Sequence, residues 1–212
     1  MSFALRDLFE AEKTKKGEPI DIALKEYLDK GGVESALERH ANQVFANFSE
    51  GQKALAKSIF SRLIEVGQGR VDTRRTAVFS ELIPAGKNEA EVTAVIDVLA
   101  REEARLLTTS GTTVNQDGVP TQTIVTIAHE KLIEAWPWLR QLVDENREVI
   151  TLQNQIANDA QAWAQAQDAG YLYRGGRLLQ VEEKLAVLQP GMDTLSQRFV
   201  AASVAERQRQ AD

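Results

Sequence analysis

Apolar residues recur at helical spacing along most of this chain, and strand-like alternation is confined to one stretch. Phe3, Leu5, Leu8 and Phe9 form a stripe that begins almost at residue 1, with no lead-in beyond Ser2. A polar break from Lys13 to Pro19 precedes a short amphipathic helix predicted over Ile20 to Leu28. Gly31-Gly32 punctuates the chain, after which Val33, Ala36, Leu37, Ala41, Val44, Phe45 and Phe48 predict a long, half-buried helix. Ser49 followed three residues later by Gln52 reads as a capping box. It opens a helix carried by Leu55, Ile59, Phe60, Leu63 and Ile64 and stopped by Gly67 and Gly69. A compact helix is expected over Ala77 to Ile83, closed by Pro84-Ala85-Gly86. Asn88 and Glu91 then cap a helix over Glu89 to Glu103, with Val92, Val95, Ile96, Leu99 and Ala100 on one face.

The exception is a pair of segments rich in β formers. Arg105 to Thr109 and Thr121 to Ala128, joined through the Gly111 and Gly118 turn region, predict a hairpin. Helices followed by such a hairpin make a winged helix, with Glu89 to Glu103 in the position of the recognition helix. Helical spacing returns at Val149, Leu152, Ile156, Ala160 and Trp163 and ends at Gly170. A turn over Tyr171 to Leu179 feeds a helix through Leu188; Gln189-Pro190-Gly191 breaks it; Leu195, Phe199 and Val200 start the last helix, whose polar tail, Glu206 to Gln210, is expected to fray. The expected fold is mainly α: residues 1–30 end a preceding helical segment, 31–140 form the winged helix, and 141–212 a helical extension.

Composition narrows the chemistry. With 212 residues and 43% hydrophobic content the chain can bury a substantial core. It has no cysteine, which removes disulfides, thiolate metal sites and thiol nucleophiles. A net charge of −6 gives no general attraction to nucleic acid or anionic membranes. No apolar run approaches the roughly 20 residues needed to span a bilayer. The first residues also lack signal-peptide order, so the expected location is the cytoplasm.

The strand ending Ile127-Ala128 runs into His129-Glu130 and then into the helical run Lys131 to Leu139. A histidine at a strand-to-helix junction can meet an anion together with backbone N–H groups. Equally, it can cap the helix or bond a core carbonyl. A zinc-protease reading fails because the second histidine it needs falls at position 133, which is Ile133. His40 has no companion ligands on its helix. Trp136-Pro137-Trp138 suits packing, with proline in the first turn of a helix. No phosphate loop is present: Gly86-Lys87 is the nearest fragment, with Glu81 at the first glycine position and Asn88 at the hydroxyl position. No residue is expected to be catalytic, none to bind metal, and the chain alone is not expected to hydrolyse ATP.

Four motifs occur in order: Gly31-Gly32-Val33-Glu34-x-Ala36-Leu37; Asp72-Thr73-Arg74-Arg75; Ala128-His129-Glu130-x-Leu132-Ile133-x-x-Trp136-Pro137-x-Leu139; and Leu172-x-Arg174-Gly175-x-Arg177-Leu178. Together they resemble the region that follows the ATPase core in the novel STAND NTPase family of bacterial signalling proteins. The resemblance implies an upstream P-loop ATPase domain, a downstream β-propeller of WD repeats or another effector, and a chain that is an excised middle segment. STAND ATPases of the apoptosome and plant-resistance type carry Met-His-Asp at the end of the winged helix, and its histidine touches the β-phosphate of ADP. Ala128-His129-Glu130 occupies the matching point, with Ala for Met and Glu for Asp. The resemblance thus makes His129 the expected nucleotide contact; Arg74 and Arg75 are expected to reach the nucleotide or the neighbouring ATPase domain, with a solvated or salt-bridged pair as the alternative. ADP or ATP would be held by the intact protein and by nothing in this chain alone. Arg174 and Arg177 are expected to bind carboxylates such as Glu182 or Glu183.

The expected job is regulatory: closing over ADP in the neighbouring ATPase domain and relaying the ADP/ATP switch through the Leu142 to Trp163 helix. Two alternatives stand beside it. A DNA-binding winged helix is disfavoured by Glu89, Glu91, Asp97, Glu102 and Glu103 against Arg101 alone, and by a wing that carries Asp117 and no Lys or Arg. The other is a structural linker for protein interaction with no nucleotide contact.

Overall fold

The computed structural model describes residues 32–114 and 120–211. The predicted Phe3 to Phe9 stripe, the Ile20 to Leu28 helix and the wing tip with Asp117 and Gly118 lie outside them. The fold is mainly helical with small sheets. Helix α1 (Gly32–Ala46) is followed by α2 (Glu50–Arg62), a two-residue strand pair β1 (Ile64–Glu65) and β2 (Thr73–Arg74), and β3 (Ala77–Val78). Next come α3 (Glu89–Ala100), β4 (Leu107–Val114), β5 (Pro120–Ile127), α4 (Lys131–Ala135) and α5 (Pro137–Ala166). The chain closes with α6 (Gly175–Glu183), α7 (Leu185–Leu188) and α8 (Thr194–Ala211).

Local chemistry accounts for most boundaries. Ser49 Oγ accepts from the Gln52 N–H at 3.3 Å while Gln52 Oε1 accepts from the Ser49 N–H at 2.9 Å, closing the expected capping box on α2. Asn88 Oδ1 accepts from the Ala90 N–H and caps α3. That helix stops at Ala100, before the expected Glu103. Ala104 and Arg105 N–H both turn back to the Arg101 carbonyl, and Arg105 adopts a left-handed φ of 43°. Pro137 occupies the first turn of α5, where its missing N–H costs nothing.

The compact helix expected over Ala77 to Ile83 is replaced by strand β3 and a 3-10 turn at Phe79–Leu82. Ala77 and Val78 pair antiparallel with Val125 and Ile124, so β5 satisfies backbone groups that an isolated seven-residue helix would hold only marginally. The resulting sheet has the order β3-β5-β4, with Leu107 opposite Ile127 and Thr109 opposite Val125. The polar tail expected to fray is helical through Ala211: Arg207 ties α8 to α6 by two bonds to Glu182, one of 2.7 Å.

Two apolar cores result among the described residues. The first joins Phe45, Phe60, Leu99, Ile127, Trp136 and Val143 and takes Ile150 as its last member. The second runs from Leu152 through Ile156, Leu178 and Met192 to Phe199. Helix α5 crosses both, and Asn146 interrupts it with φ −126° and ψ 17°.

Candidate functional site

Strand β5 delivers the histidine junction to the surface. Ala128 N–H still bonds the Leu106 carbonyl at 3.0 Å, continuing the sheet edge, and the chain then turns out at His129. Leu132 N–H returns to the His129 carbonyl at 2.9 Å and Ile133 N–H to the Glu130 carbonyl at 3.1 Å, which makes a tight turn into the single-turn α4. Leu132 and Ile133 are buried beneath it. The imidazole itself is exposed and has no hydrogen-bond partner among the described residues. It is therefore neither the helix cap nor the core-bonded histidine of the structural alternative. Glu130 takes the cap position without a side-chain bond to the helix.

Trp136 anchors this turn from below. It is fully buried, closes α4 through its N–H to Leu132, and donates its indole N–H to Asn42 Oδ1 at 2.8 Å. Phe45 and Phe60 meet its ring edge-on at 5.3 and 5.6 Å, and Trp138 lies 4.6 Å away. Trp136 is core and the half-buried Trp138 packs against it, the packing role expected of large aromatics.

Strand β2 brings Arg74 to the same place. Its N–H lies 3.4 Å from Glu130 Oε1, its Nη1 lies 3.5 Å from the Ile127 carbonyl, and the residue is exposed. Arg75, pointing to the other side of the strand, turns inward. Its guanidinium donates to Glu81 at 2.9 Å, to Asn158 at 2.8 Å and to the Arg62 carbonyl at 3.1 Å. The structure thus ties Arg74 to the residues that flank the exposed His129, Ile127 and Glu130, and commits Arg75 to an internal network.

The remaining motif positions are structural ties. Asp72 accepts Gly67 N–H at 2.8 Å and both terminal nitrogens of Arg147, at 3.0 and 2.8 Å. Arg177 bonds Asp159 at 2.5 Å and lies over the Tyr173 ring at 4.2 Å, so its partner is on α5 and not the expected Glu182 or Glu183. Glu182 belongs to Arg207 instead. Tyr173 donates to the same Asp159 oxygen at 2.5 Å, and burial, reinforced by that bond, pushes its phenol well above the ordinary range.

A family model described as novel STAND NTPase 1 matches residues 1–170. The chain belongs to the novel STAND NTPase 1 family. The match takes in the first three motifs of this STAND chain and stops before the Leu172-to-Leu178 motif, whose Arg177 and Tyr173 nonetheless lock onto α5. No curated protein and no solved structure matches the chain significantly. Among the described residues, no group of three or more His, Asp or Glu is placed to hold a metal, and no helix is long and apolar enough to cross a membrane.

Sequence reasoning overlooked Arg62, Asp193 and Arg147. Arg62 is 1% exposed and bonds Asp193 at 3.3 Å; burial lowers its pKa below the ordinary guanidinium value. The signal was legible as a charge three residues after Ile59, in phase with the apolar face of α2. Asp193 followed by Ser196 has the spacing of a helix cap, and Asp193 accepts both the Ser196 N–H at 2.9 Å and its hydroxyl at 2.7 Å.

Proposed function

We propose that this STAND segment is a regulatory winged helix. It closes over ADP held by a neighbouring P-loop ATPase domain in the same protein and relays the ADP/ATP state to a downstream repeat or effector domain. The observation that carries this reading is the exposed, unbonded His129 on a turn pinned from below by Trp136, with Arg74 bonded to Ile127 and Glu130 on either side of it in sequence. A protonated or donor imidazole meeting a phosphate forms a charge-assisted hydrogen bond worth on the order of 1.5–3 kcal/mol, enough to bias a two-state equilibrium by one to two decades. Glu130 Oε1 lies 3.4 Å from the Arg74 N–H and ties β2 to the junction.

The winged-helix reading is supported by α2, β3, the 3-10 turn and α3 followed by the β4–β5 hairpin, with β3 adding to the far side of β5. Residues 31–140 hold that module and 141–212 the helical extension. The segment has no expected chemistry of its own, binds no nucleotide unaided and needs neither nucleic acid nor a membrane; cytoplasmic signalling in a bacterium is the setting the reading implies. DNA binding is disfavoured because α3 exposes Glu89, Glu91 and Asp97. Arg75 is retained as an indirect contributor, since its guanidinium positions β2 and therefore Arg74.

Hydrogen exchange on the intact protein tests the reading. ADP should slow exchange at residues 127–133 in the wild type, and His129→Ala should abolish that protection while leaving β4 and β5 protected. Unchanged protection in the variant would remove the nucleotide contact and leave a structural linker.

A further inference from the structure

The two apolar cores do not merge, and what lies between them is polar. Arg62 of α2 meets Asp193 at the start of α8, and Ala85 N–H donates to the Met192 carbonyl at 2.9 Å beside the Pro84–Asp193 bridge. Along α5, Arg147, Asn154, Asn158 and Gln161 form a stripe at spacings of seven, four and three residues. Arg147 bonds Asp72 and the Gly67 carbonyl, Asn154 bonds the Ile64 carbonyl at 2.9 Å, Asn158 receives Arg75, and Gln161 donates to Glu81. Only Ile150, among residues 147–211, belongs to the first core. The seam is also incompletely satisfied: Arg62 Nε and Nη1 and Asn154 Oδ1 are buried without a hydrogen-bond partner among the described residues.

Such an interface gives little net stabilisation. Burying an ion pair returns roughly what its desolvation costs, and each orphaned donor subtracts further. The dry cores on either side carry no such penalty. At the edge of the seam the helix that joins the cores is already broken at Asn146, whose side chain bonds the Leu142 carbonyl at 2.8 Å in place of regular geometry.

We propose that residues 147–211 form a module that docks reversibly on the upstream core through this polar seam, pivoting at Asn146. Arg62 is the key of the seam: docked, it is held by Asp193, and undocked, its orphaned N–H groups reach water. The device requires no nucleotide and stands whether or not His129 touches one.

The chain contains no cysteine, so paired spin labels can be placed cleanly at two exposed helix positions, Lys57→Cys on α2 and Arg198→Cys on α8. The labelled protein should give one main distance. Asp193→Ala leaves Arg62 buried and alone, and Arg75→Ala cuts the seam at its other end without touching the α8 cap. Each should add a longer distance, with the undocked-to-docked ratio in Asp193→Ala rising about a hundredfold. Amides of Ile59, Phe60 and Val95 should stay protected from exchange in both. An unchanged distance in either variant overturns the proposal. Loss of those protected amides together with the distance change overturns it as well, because the cores would then unfold as one unit.

Discussion

Replacing Trp136 by Phe should destabilise the upstream core by about 2–3 kcal/mol, the sum of three separable effects. Deleting the second ring of a fully buried indole leaves roughly 40 Å³, worth on the order of 1 kcal/mol. Losing the 2.8 Å bond from Nε1 to Asn42 removes about 0.5–1.5 kcal/mol; because Asn42 is exposed, water re-satisfies it and the low half of that range applies. The edge-on contacts with Phe45 and Phe60 weaken by a further ~0.5–1 kcal/mol. Urea unfolding followed by circular dichroism measures the total, and Asn42→Ala alone should cost under about 1 kcal/mol. A double-mutant cycle between the two isolates the hydrogen bond, with a coupling of roughly 0.5–1 kcal/mol. A loss below about 0.5 kcal/mol in Trp136→Phe would refute the reasoning. Trp136 would then not be what pins the turn under His129.

Three further outcomes follow from particular geometries. Gly67→Ala should cost more than about 2 kcal/mol in urea unfolding, because an added Cβ would lie 2.2 Å from the Arg70 carbonyl oxygen. Gly86→Ala, with φ +79° and nothing within 4 Å, should cost only roughly 1 kcal/mol; equal losses would contradict the steric account. Arg147→Ala should lose about 1 kcal/mol in the same assay, and Arg147→Lys should recover less than half, since an ammonium cannot bridge both Asp72 oxygens and the Gly67 carbonyl; full rescue by lysine would show that charge alone matters. For Tyr173 the folded state favours the protonated phenol. Its contribution is therefore intact below the ordinary tyrosine range near pH 10 and is lost as pH rises from there towards the raised folded value. The urea midpoint of Tyr173→Phe should fall less steeply than wild type above about pH 10, and parallel slopes would sink that assignment.

The sequence carried the elements wherever the apolar period was long or a cap was explicit. The Ser49 to Gln52 box and the Asn88 cap formed where the pattern placed them; the hairpin formed with its first strand running on through Gly111 to Val114, and the helix expected through Ile64 stops at Arg62 and leaves Ile64 to β1. Short segments went otherwise. Ala77 and Val78 carry too weak a helical signal to resist pairing with β5, where the partner of Ala77 lies forty-eight positions away, at Val125. Of the site, the junction at His129 was visible as a strand running into a helix. The opposite fates of Arg74 and Arg75 were not, because adjacent strand residues face opposite ways and their surroundings come from α2, Glu81 and α5. The polar seam was hidden for the same reason: Arg62 and Asp193 are 131 positions apart, and the local signs at each, a charge in phase with the α2 face and an Asp-to-Ser cap, do not pair them.

The measurement that bears most directly on the regulatory role is calorimetric titration of the intact STAND protein, ATPase domain included, with ADP and with ATP, in the wild type and in His129→Ala. The account predicts that the substitution weakens ADP by about tenfold, or 1.4 kcal/mol, and leaves ATP affinity within about twofold. Equal ADP affinities in the two proteins, with the fold intact by circular dichroism, would contradict it.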